Sequence, residues 1–370
     1  MAQRRELTAT RPIGSLIDRT GMDLDLPDRL QLHKSEGFPT HLLEMPPQDL
    51  WRHLPGPTLF HIDGHRASPL FVSVLLHGNE STGWSAVRAT LARYTTRGLP
   101  RSLLLFVGNI EAARRNVRTL PDQTDYNRSW PGTLYGSMPE ALLMTDVVAC
   151  VAAHKPFASI DIHNNTGWNP HYACLNRLDE PYLYLARLFS RTAVYFERPL
   201  GVQSAAMAPI CPAVTVECGL AGGAEGIAHA VEYLEAALSL DHFPEHPLPD
   251  GDIDLLQTRA IIKVPDGATV SFDGTDAEFR FRPDLDRLNF SELEPGTALG
   301  RLGGSASRRL VVDPGAPGLP SSDYFSYDNG EIRLTRRAIP SMLTKDERAI
   351  RLDCLGYLMH RIDRSGTLKD

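Results

Sequence analysis

The chain has 370 residues, of which 22% are charged and 42% hydrophobic, and its net charge at pH 7 is −7. This length allows about two domains of roughly 150 residues each. The net negative charge argues against a nucleic-acid partner and against membrane binding through a polybasic segment. No apolar run approaches the roughly 18 residues of a membrane span, and no apolar stretch follows the basic residues near the N-terminus. The sequence therefore predicts neither a transmembrane helix nor a secretory signal.

Cysteine usage favours a reducing compartment. The five cysteines are odd in number and show no Cys-x-x-Cys spacing. A disulfide framework is therefore not expected, and the sequence predicts a cytoplasmic location. Cys218 lies beside Glu217, but no general base is specified next to it, so we interpret Cys218 as a buried structural thiol.

Apolar runs alternate with helical patterns over the middle of the chain. Strands are predicted at 69–76, 102–107, 157–162 and 213–216, and helices at 82–96, 140–154, 180–192 and 226–240. Strands that alternate with helices are typical of an α/β fold with helices on both faces of the sheet. We expect a mixed, largely parallel sheet flanked by helices.

The pattern changes after a proline-rich and polar segment at 241–251, which we interpret as a linker. Short β-rich runs follow, separated by Gly, Pro and Asp, with one possible helix near the end of the chain. The runs lie at 259–264, 268–272, 279–281, 310–312 and 331–334, and the helix is predicted at 345–362. The sequence thus predicts a catalytic domain over 1–245 and a smaller β-rich domain over 246–370.

Four polar residues follow apolar runs at the predicted strand ends: His77, Glu80, His163 and Glu217. Ligands of α/β proteins bind at the carboxyl ends of the strands. Two histidines and a glutamate make up the ligand set of a hydrolytic zinc site, which keeps one position open for water. A further glutamate is then available for proton transfer. The pattern predicts a zinc hydrolase.

Each of these residues also has a simpler interpretation when it is taken alone. The spacing His-x-x-Glu at His77 and Glu80 occurs by chance on many surface helices. A lone histidine at a strand end, such as His163, is more often structural than a metal ligand. Asp161 lies on the same face of its strand as His163 and could orient that ring.

The segment 109–131 is a long polar loop that is rich in arginine, including Arg114, Arg115, Arg118 and Arg128. Guanidinium groups bind carboxylates through two parallel hydrogen bonds, so arginines beside a site imply an anionic substrate. The alternative is a solvated loop, which is the favoured interpretation for Arg114 and Arg115.

Together these motifs resemble the succinylglutamate desuccinylase/aspartoacylase family, which belongs to the zinc carboxypeptidase superfamily. The family shows His-Gly-Asn-Glu, Asp-Leu-Asn-Arg, Asp-Leu-His and Glu-x-Gly in this order. The chain has His-Gly-Asn-Glu at 77–80, Asp-Tyr-Asn-Arg at 125–128, Asp-Ile-His at 161–163 and Glu-Cys-Gly at 217–219. The segment 289–297 resembles part of the family's C-terminal β domain, so the likeness covers most of residues 70–340.

The resemblance implies a role for each matching residue. One zinc ion would be bound by His77, Glu80 and His163. The substrate carboxylate would be held by Asn127 and Arg128, and the scissile carbonyl or the acyl group would be contacted by Arg118. Glu217 would act as general base and then as general acid. The ligand set tolerates several divalent ions, so cobalt and manganese stay open.

Three departures bear on these assignments. Tyr126 replaces the usual leucine of the second motif. About two extra residues separate Arg118 from Asp125, which leaves Arg114 or Arg115 as alternatives for the upstream arginine. Tyr195 lies 22 residues before Glu217, at a distance where true carboxypeptidases keep a mobile tyrosine, but we favour a packing role for it.

The leading hypothesis for function is a zinc-dependent deacylase that hydrolyses the amide bond of a small anionic N-acyl amino acid or a similar carboxylated amide. The alternative is a metallocarboxypeptidase that releases C-terminal residues from peptides. A binding protein without activity is disfavoured because all three ligands and the glutamate base are present. A homo-oligomer is possible.

Overall fold

The computed structural model describes residues 29–304, 307–315 and 324–369. Its α-helices are α1 (Thr82–Tyr94), α2 (Ile110–Arg114), α3 (Pro139–Ala153), α4 (Glu180–Phe189), α5 (Gln203–Met207), α6 (Ala224–Ser239) and α7 (Glu347–Leu352). Its strands are β1 (His33–Glu36), β2 (Thr58–Ile62), β3 (Gly64–Val74), β4 (Leu99–Val107), β5 (Ala158–Asn165), β6 (Tyr172–Leu175), β7 (Thr192–Tyr195), β8 (Ala213–Leu220), β9 (Asp254–Lys263), β10 (Val270–Ser271), β11 (Phe279–Phe281), β12 (Ala298–Leu302), β13 (Val311–Pro314), β14 (Phe325–Ser326), β15 (Glu331–Leu334), β16 (Ile339–Ser341) and β17 (Gly356–Arg361). Short 3₁₀ helices lie at Thr40–Glu44, Pro47–Arg52, Tyr126–Arg128, Leu285–Leu288 and Asp328–Gly330.

A large mixed sheet organises the molecule. Its strand order is β1-β2-β4-β3-β5-β8-β6-β7-β9-β17-β16, and β13 pairs with β9 off this path. The four strands β4, β3, β5 and β8 are mutually parallel. Parallel strands are joined by helical crossovers, so their carboxyl ends meet at one edge of the sheet.

Alternation along the strands gives the sheet two apolar faces. In β3, Leu70, Val72 and Val74 point to one face, where they pack in a core that also holds residues of α1, α4 and α6. Phe71 points to the other face and packs with Met144 of α3. Because successive side chains of a strand point to opposite sides, a strand buried on both faces has a nearly continuous apolar sequence. Such runs made the central strands predictable.

The predicted α/β fold is confirmed, and the central helices and strands lie within a few residues of their predicted bounds. The predicted helix over 345–362 is wrong. Only α7 is helical there, and the chain then turns into β17, which pairs antiparallel with both β9 and β16. Gly356 begins this strand. A short apolar run after a helix-disfavouring glycine fits a strand as well as a helix, and pairing with β9 decides between them.

The β-rich C-terminal region contributes to two sheets. β9, β13, β16 and β17 extend the large sheet, whereas β10, β11, β12, β15 and β14 form a second, smaller sheet over their own apolar core. The division into domains at 245 and 246 stays a prediction. Within the described ranges, no helix is both long enough and apolar enough to cross a membrane.

Candidate active site

The parallel strands β3, β5 and β8 end beside one another and carry the polar residues that the sequence singled out. His163 of β5 lies opposite Glu217 of β8 in the register of these two strands, and Ser73 of β3 lies opposite Asp161 of β5. His77 follows the last residue of β3 by three positions, and Glu80 lies in the turn before α1. Residues that are far apart in sequence therefore meet at one edge of the sheet.

A tight turn after β3 brings His77 and Glu80 to the same point. Leu75 has a positive φ of 56° at the start of this turn. Gly78 lies against the backbone of α2, where a Cβ atom would be only 2.1 Å from the carbonyl carbon of Ala112. Its amide donates to the carbonyl oxygen of Arg118 at 3.2 Å. Only glycine permits this approach, which places both His77 and the Arg118 loop beside the strand end.

His77, Glu80 and His163 form a buried cluster. The exposed fractions of these residues are 2%, 7% and 3%. One potential ligand atom from each lies within 4.8 Å of the other two. The Nδ1 atom of His77 is 2.6 Å from Oε1 of Glu80, and that of His163 is 2.8 Å from Oε2. Both imidazoles thus turn the same ring nitrogen towards one carboxylate.

The outer nitrogen of each ring faces a second carboxylate. Nε2 of His77 is 3.1 Å from Oδ1 of Asp125, and Nε2 of His163 is 2.7 Å from Oδ2 of Asp161. The hydroxyl of Ser73 donates to the other oxygen of Asp161 at 2.6 Å. Carboxylates that accept from the outer nitrogen of a histidine fix its tautomer and orientation for metal binding.

The charges of this cluster favour a cation. Burial alone would raise the pKa of Glu80, but His77 and His163 outweigh burial and lower it, so Glu80 is ionised. Burial would lower the pKa of His163, but Asp161 and Glu80 raise it well above its usual range. Two imidazoles and one carboxylate, buried and held from outside, are the donor set that zinc accepts. The residues fit a single divalent metal ion.

Glu217 lies next to this cluster and is only 7% exposed. One of its oxygens accepts from the side-chain amide of Asn165 at 2.6 Å. Burial raises the pKa of Glu217 to about 7, and the negative charge of Glu80 adds to this rise, whereas His163 opposes it. A carboxyl group whose pKa lies near neutrality can both accept and return a proton.

Arginines and carboxylates alternate on the loop side of the site. Arg118 donates from Nη2 and Nε to Asp125 at 2.9 and 3.1 Å, and its Nη1 lies 3.8 Å from Glu80. Arg128 donates to Asp353 at 2.8 Å. Asp353 also lies 3.7 Å from Arg118. Burial would lower the pKa of each arginine, but these carboxylates raise it, so both guanidinium groups are charged.

The other candidates from the sequence have different positions. Arg114 and Arg115 are exposed, and Arg114 stacks on the ring of Trp51 at 3.8 Å, so the structure brings Arg118 rather than either of them to the site. Tyr195 packs against the large core. Cys218 is buried at 1% exposure.

A pocket opens over the site. Residues of the C-terminal region form part of its wall, together with strands and loops of the large sheet. Its lining comprises His77, Glu80, Arg118, Asn127, Arg128, His163, Asn164, Tyr172, Cys174, Val194, Phe196, Arg198, Pro199, Val202, Thr215, Glu217, Thr258, Ser341, Met342, Asp353 and Tyr357. The side-chain oxygen of Asn127 is buried without a hydrogen-bond partner among the described residues, so this acceptor is unsatisfied within the protein.

Two contacts beside the site were not predicted from the sequence. Asp125 was noted only as part of its motif, yet it links His77 to Arg118. Its position, two residues before Asn127 and three before Arg128, was the available signal. Asp353 lay in a segment that was predicted to be a helix, and nothing in its local sequence indicates that it would reach Arg128. That contact depends on how β17 pairs with β9.

Comparison with known proteins agrees with the observed fold. Residues 68–226 match the model of the succinylglutamate desuccinylase/aspartoacylase catalytic domain. The fold is similar to that of the succinylglutamate desuccinylase/aspartoacylase from Rhodobacter sphaeroides (15% identity, 82% of this chain and 88% of that chain covered, TM-score 0.55). It is also similar to the succinylglutamate desuccinylase from Vibrio parahaemolyticus (14% identity, 82% and 85% covered, TM-score 0.54). No curated protein sequence matches the chain. The family model thus covers the part of the chain that carries His77, Glu80, His163 and Glu217.

Proposed function

We propose that this protein is a zinc-dependent deacylase that hydrolyses the amide bond of an N-acyl amino acid or a similar small carboxylated amide. The observation that carries the proposal is the position of the His77, Glu80 and His163 cluster beside the buried carboxyl group of Glu217. A potential metal site next to a proton-transfer group is the combination that hydrolytic metalloenzymes use.

Zinc and Glu217 would divide the chemistry between them. When bound, zinc lowers the pKa of water and polarises a carbonyl oxygen. Glu217 accepts a proton from the attacking water while the new C–O bond forms, and it delivers that proton to the leaving nitrogen as the C–N bond breaks. The side-chain amide of Asn165 holds one carboxyl oxygen of Glu217 in place. The products are a carboxylate and a free amine.

The loop side of the pocket would bind the rest of the substrate. Asn127 and Arg128 would hold its carboxylate, because both line the pocket and both can donate, Asn127 from its side-chain NH2 group and Arg128 from its charged guanidinium group. Arg118, whose Nη1 lies 3.8 Å from Glu80, would contact the scissile carbonyl or the acyl group. Ser341, Met342 and Tyr357 narrow the pocket from the C-terminal region, which favours a small amide over a peptide. The five cysteines are all free, which is consistent with a cytoplasmic enzyme.

An amine-release assay on the zinc-loaded protein tests the proposal. The panel would hold N-acetyl and N-succinyl amino acids beside short peptides with free C-termini, and Glu217→Gln would be the blank. Release from acyl amino acids alone is expected. Release from peptides alone would make the protein a metallocarboxypeptidase, and no release from either class would contradict hydrolysis of both kinds of bond.

A further inference from the structure

Asp353 occupies the arginine cluster from which a substrate carboxylate would be expected to gain its binding energy. Its carboxylate accepts from Arg128 at 2.8 Å and lies 3.7 Å from Arg118, and its side chain is only 26% exposed. The surrounding backbone is well anchored, because the amide of Leu355 donates to the carbonyl oxygen of Ile262 at 2.8 Å. Asp353 is therefore a fixed part of the pocket wall.

The charges of this cluster balance without any ligand. Two guanidinium groups, Arg118 and Arg128, face two carboxylates, Asp125 and Asp353. A first substrate carboxylate can still accept hydrogen bonds from the side-chain NH2 group of Asn127 and from the donors of Arg128 that Asp353 does not use. A second carboxylate would meet no further positive charge in this cluster, because Arg118 and Arg128 are already paired with Asp125 and Asp353. The third arginine that lines the pocket, Arg198, is exposed, so water and salt screen its charge.

The remaining lining of the pocket is largely apolar. It includes Tyr172, Val194, Phe196, Val202 and Met342. Of these, Tyr172, Val194 and Val202 are almost completely buried in the protein, at 2% to 3% exposure. Burying a charged group against such a surface without a partner is strongly unfavourable, whereas burying an alkyl or aryl group is favourable.

We propose that Asp353 is a specificity-determining residue that restricts the substrate to one carboxylate and an uncharged, apolar acyl group or side chain. The preference for a type of substrate rests on the proposed function. The effect of Asp353 on anion binding does not, because it can be measured without turnover. Removing its charge frees a guanidinium group for a second carboxylate.

The test compares succinate with butyrate, which have four carbons each and differ in the second carboxylate. Their binding to the zinc-loaded protein would be measured by calorimetry for the unsubstituted protein, Asp353→Asn and Glu347→Gln. Glu347 is a matched control because it pairs with Arg351 at 3.1 Å in the same segment but is exposed and outside the pocket. We expect the ratio of succinate affinity to butyrate affinity to rise about tenfold or more in Asp353→Asn, which is the gain from one charge-assisted hydrogen bond. Glu347→Gln should leave this ratio unchanged.

Turnover gives the second readout. The unsubstituted protein should hydrolyse N-acetyl-L-leucine with a higher kcat/KM than N-acetyl-L-aspartate, and Asp353→Asn should shift that ratio about tenfold towards aspartate, mainly through KM. Equal succinate-to-butyrate ratios in all three proteins would overturn the inference. If Asp353→Asn does not fold, the binding of succinate and butyrate to the unsubstituted protein is the test. Tighter binding of succinate than of butyrate would then overturn the inference. Tighter succinate binding by Asp353→Asn without any amide hydrolysis would contradict the proposed function alone.

Discussion

The two walls of the pocket hold buried charge in different ways. The inner wall, formed by His77, Glu80, Asp161, His163 and Glu217, combines three carboxyl groups with two imidazoles, which carry positive charge only when protonated. The outer wall pairs two arginines with two carboxylates and is neutral by itself. The inner wall therefore favours a bound cation, whereas the outer wall, under the proposed role of Asp353, would disfavour a ligand with a second negative charge. Under the proposed function, reactivity and selectivity would lie on separate elements of the fold.

Glu217→Gln should have the largest effect on turnover, because it removes the proton carrier from the inner wall. We expect the rate to fall by about 10²–10⁴ while zinc content stays unchanged. Turnover and metal content would be measured on the same samples. Glu225→Gln, at an exposed position in the first turn of α6, is the control. Undiminished turnover in Glu217→Gln would remove this residue from its role.

The inner wall was largely predictable from the sequence, and the physical reason is the sheet. Buried strands have apolar sequences that reveal where they end, and parallel strands bring those ends together. His77, His163 and Glu217 therefore had few alternative positions once the strands had been identified. The role of Asp161 followed from the two-residue repeat of a strand.

The outer wall was predictable only in part. Arg118 and Arg128 were identified as candidates, but the loop of 109–131 offered Arg114 and Arg115 as well. Loop geometry depends on tertiary contacts such as the approach of Gly78 to Ala112, which sequence periodicity does not encode. Asp353 reaches the pocket only because β17 pairs with β9, and the sequence pattern of that segment had favoured a helix.

Asp161→Asn sharpens the contrast between the walls, because it changes the inner wall without touching the arginines. The amide keeps the volume of the side chain but loses the charge that holds Nε2 of His163 at 2.7 Å. Zinc affinity should fall by about 10–100-fold, as for other partners of metal-binding histidines. Competition with a chelator would measure it. Asp179→Asn, at an exposed pair with Arg177, is the control, and equal affinity in both variants would contradict an orienting role for Asp161.

Gly78→Ala tests the point where the two walls touch. The added methyl group would meet the backbone of Ala112 at 2.1 Å, so α2 and the Arg118 loop must move. We expect the free energy of unfolding to fall by about 1–3 kcal/mol, which is the usual cost of overpacking. Denaturant unfolding would measure it. Gly136→Ala is the matched control, since no atom lies within 4 Å of its added methyl group. An equal effect in both variants would show that the turn is not close-packed.

The proposed function requires that His77, Glu80 and His163 bind the one metal ion on which hydrolysis depends. The most direct test is to remove metal with a chelator, titrate zinc back, and follow zinc binding and amine release together. We expect activity to return in proportion to bound zinc and to reach its maximum at one zinc per chain. We also expect that His77→Ala neither binds zinc tightly nor recovers activity. Full activity in the chelated protein, or recovery by His77→Ala at the same zinc concentration, would contradict the proposed function.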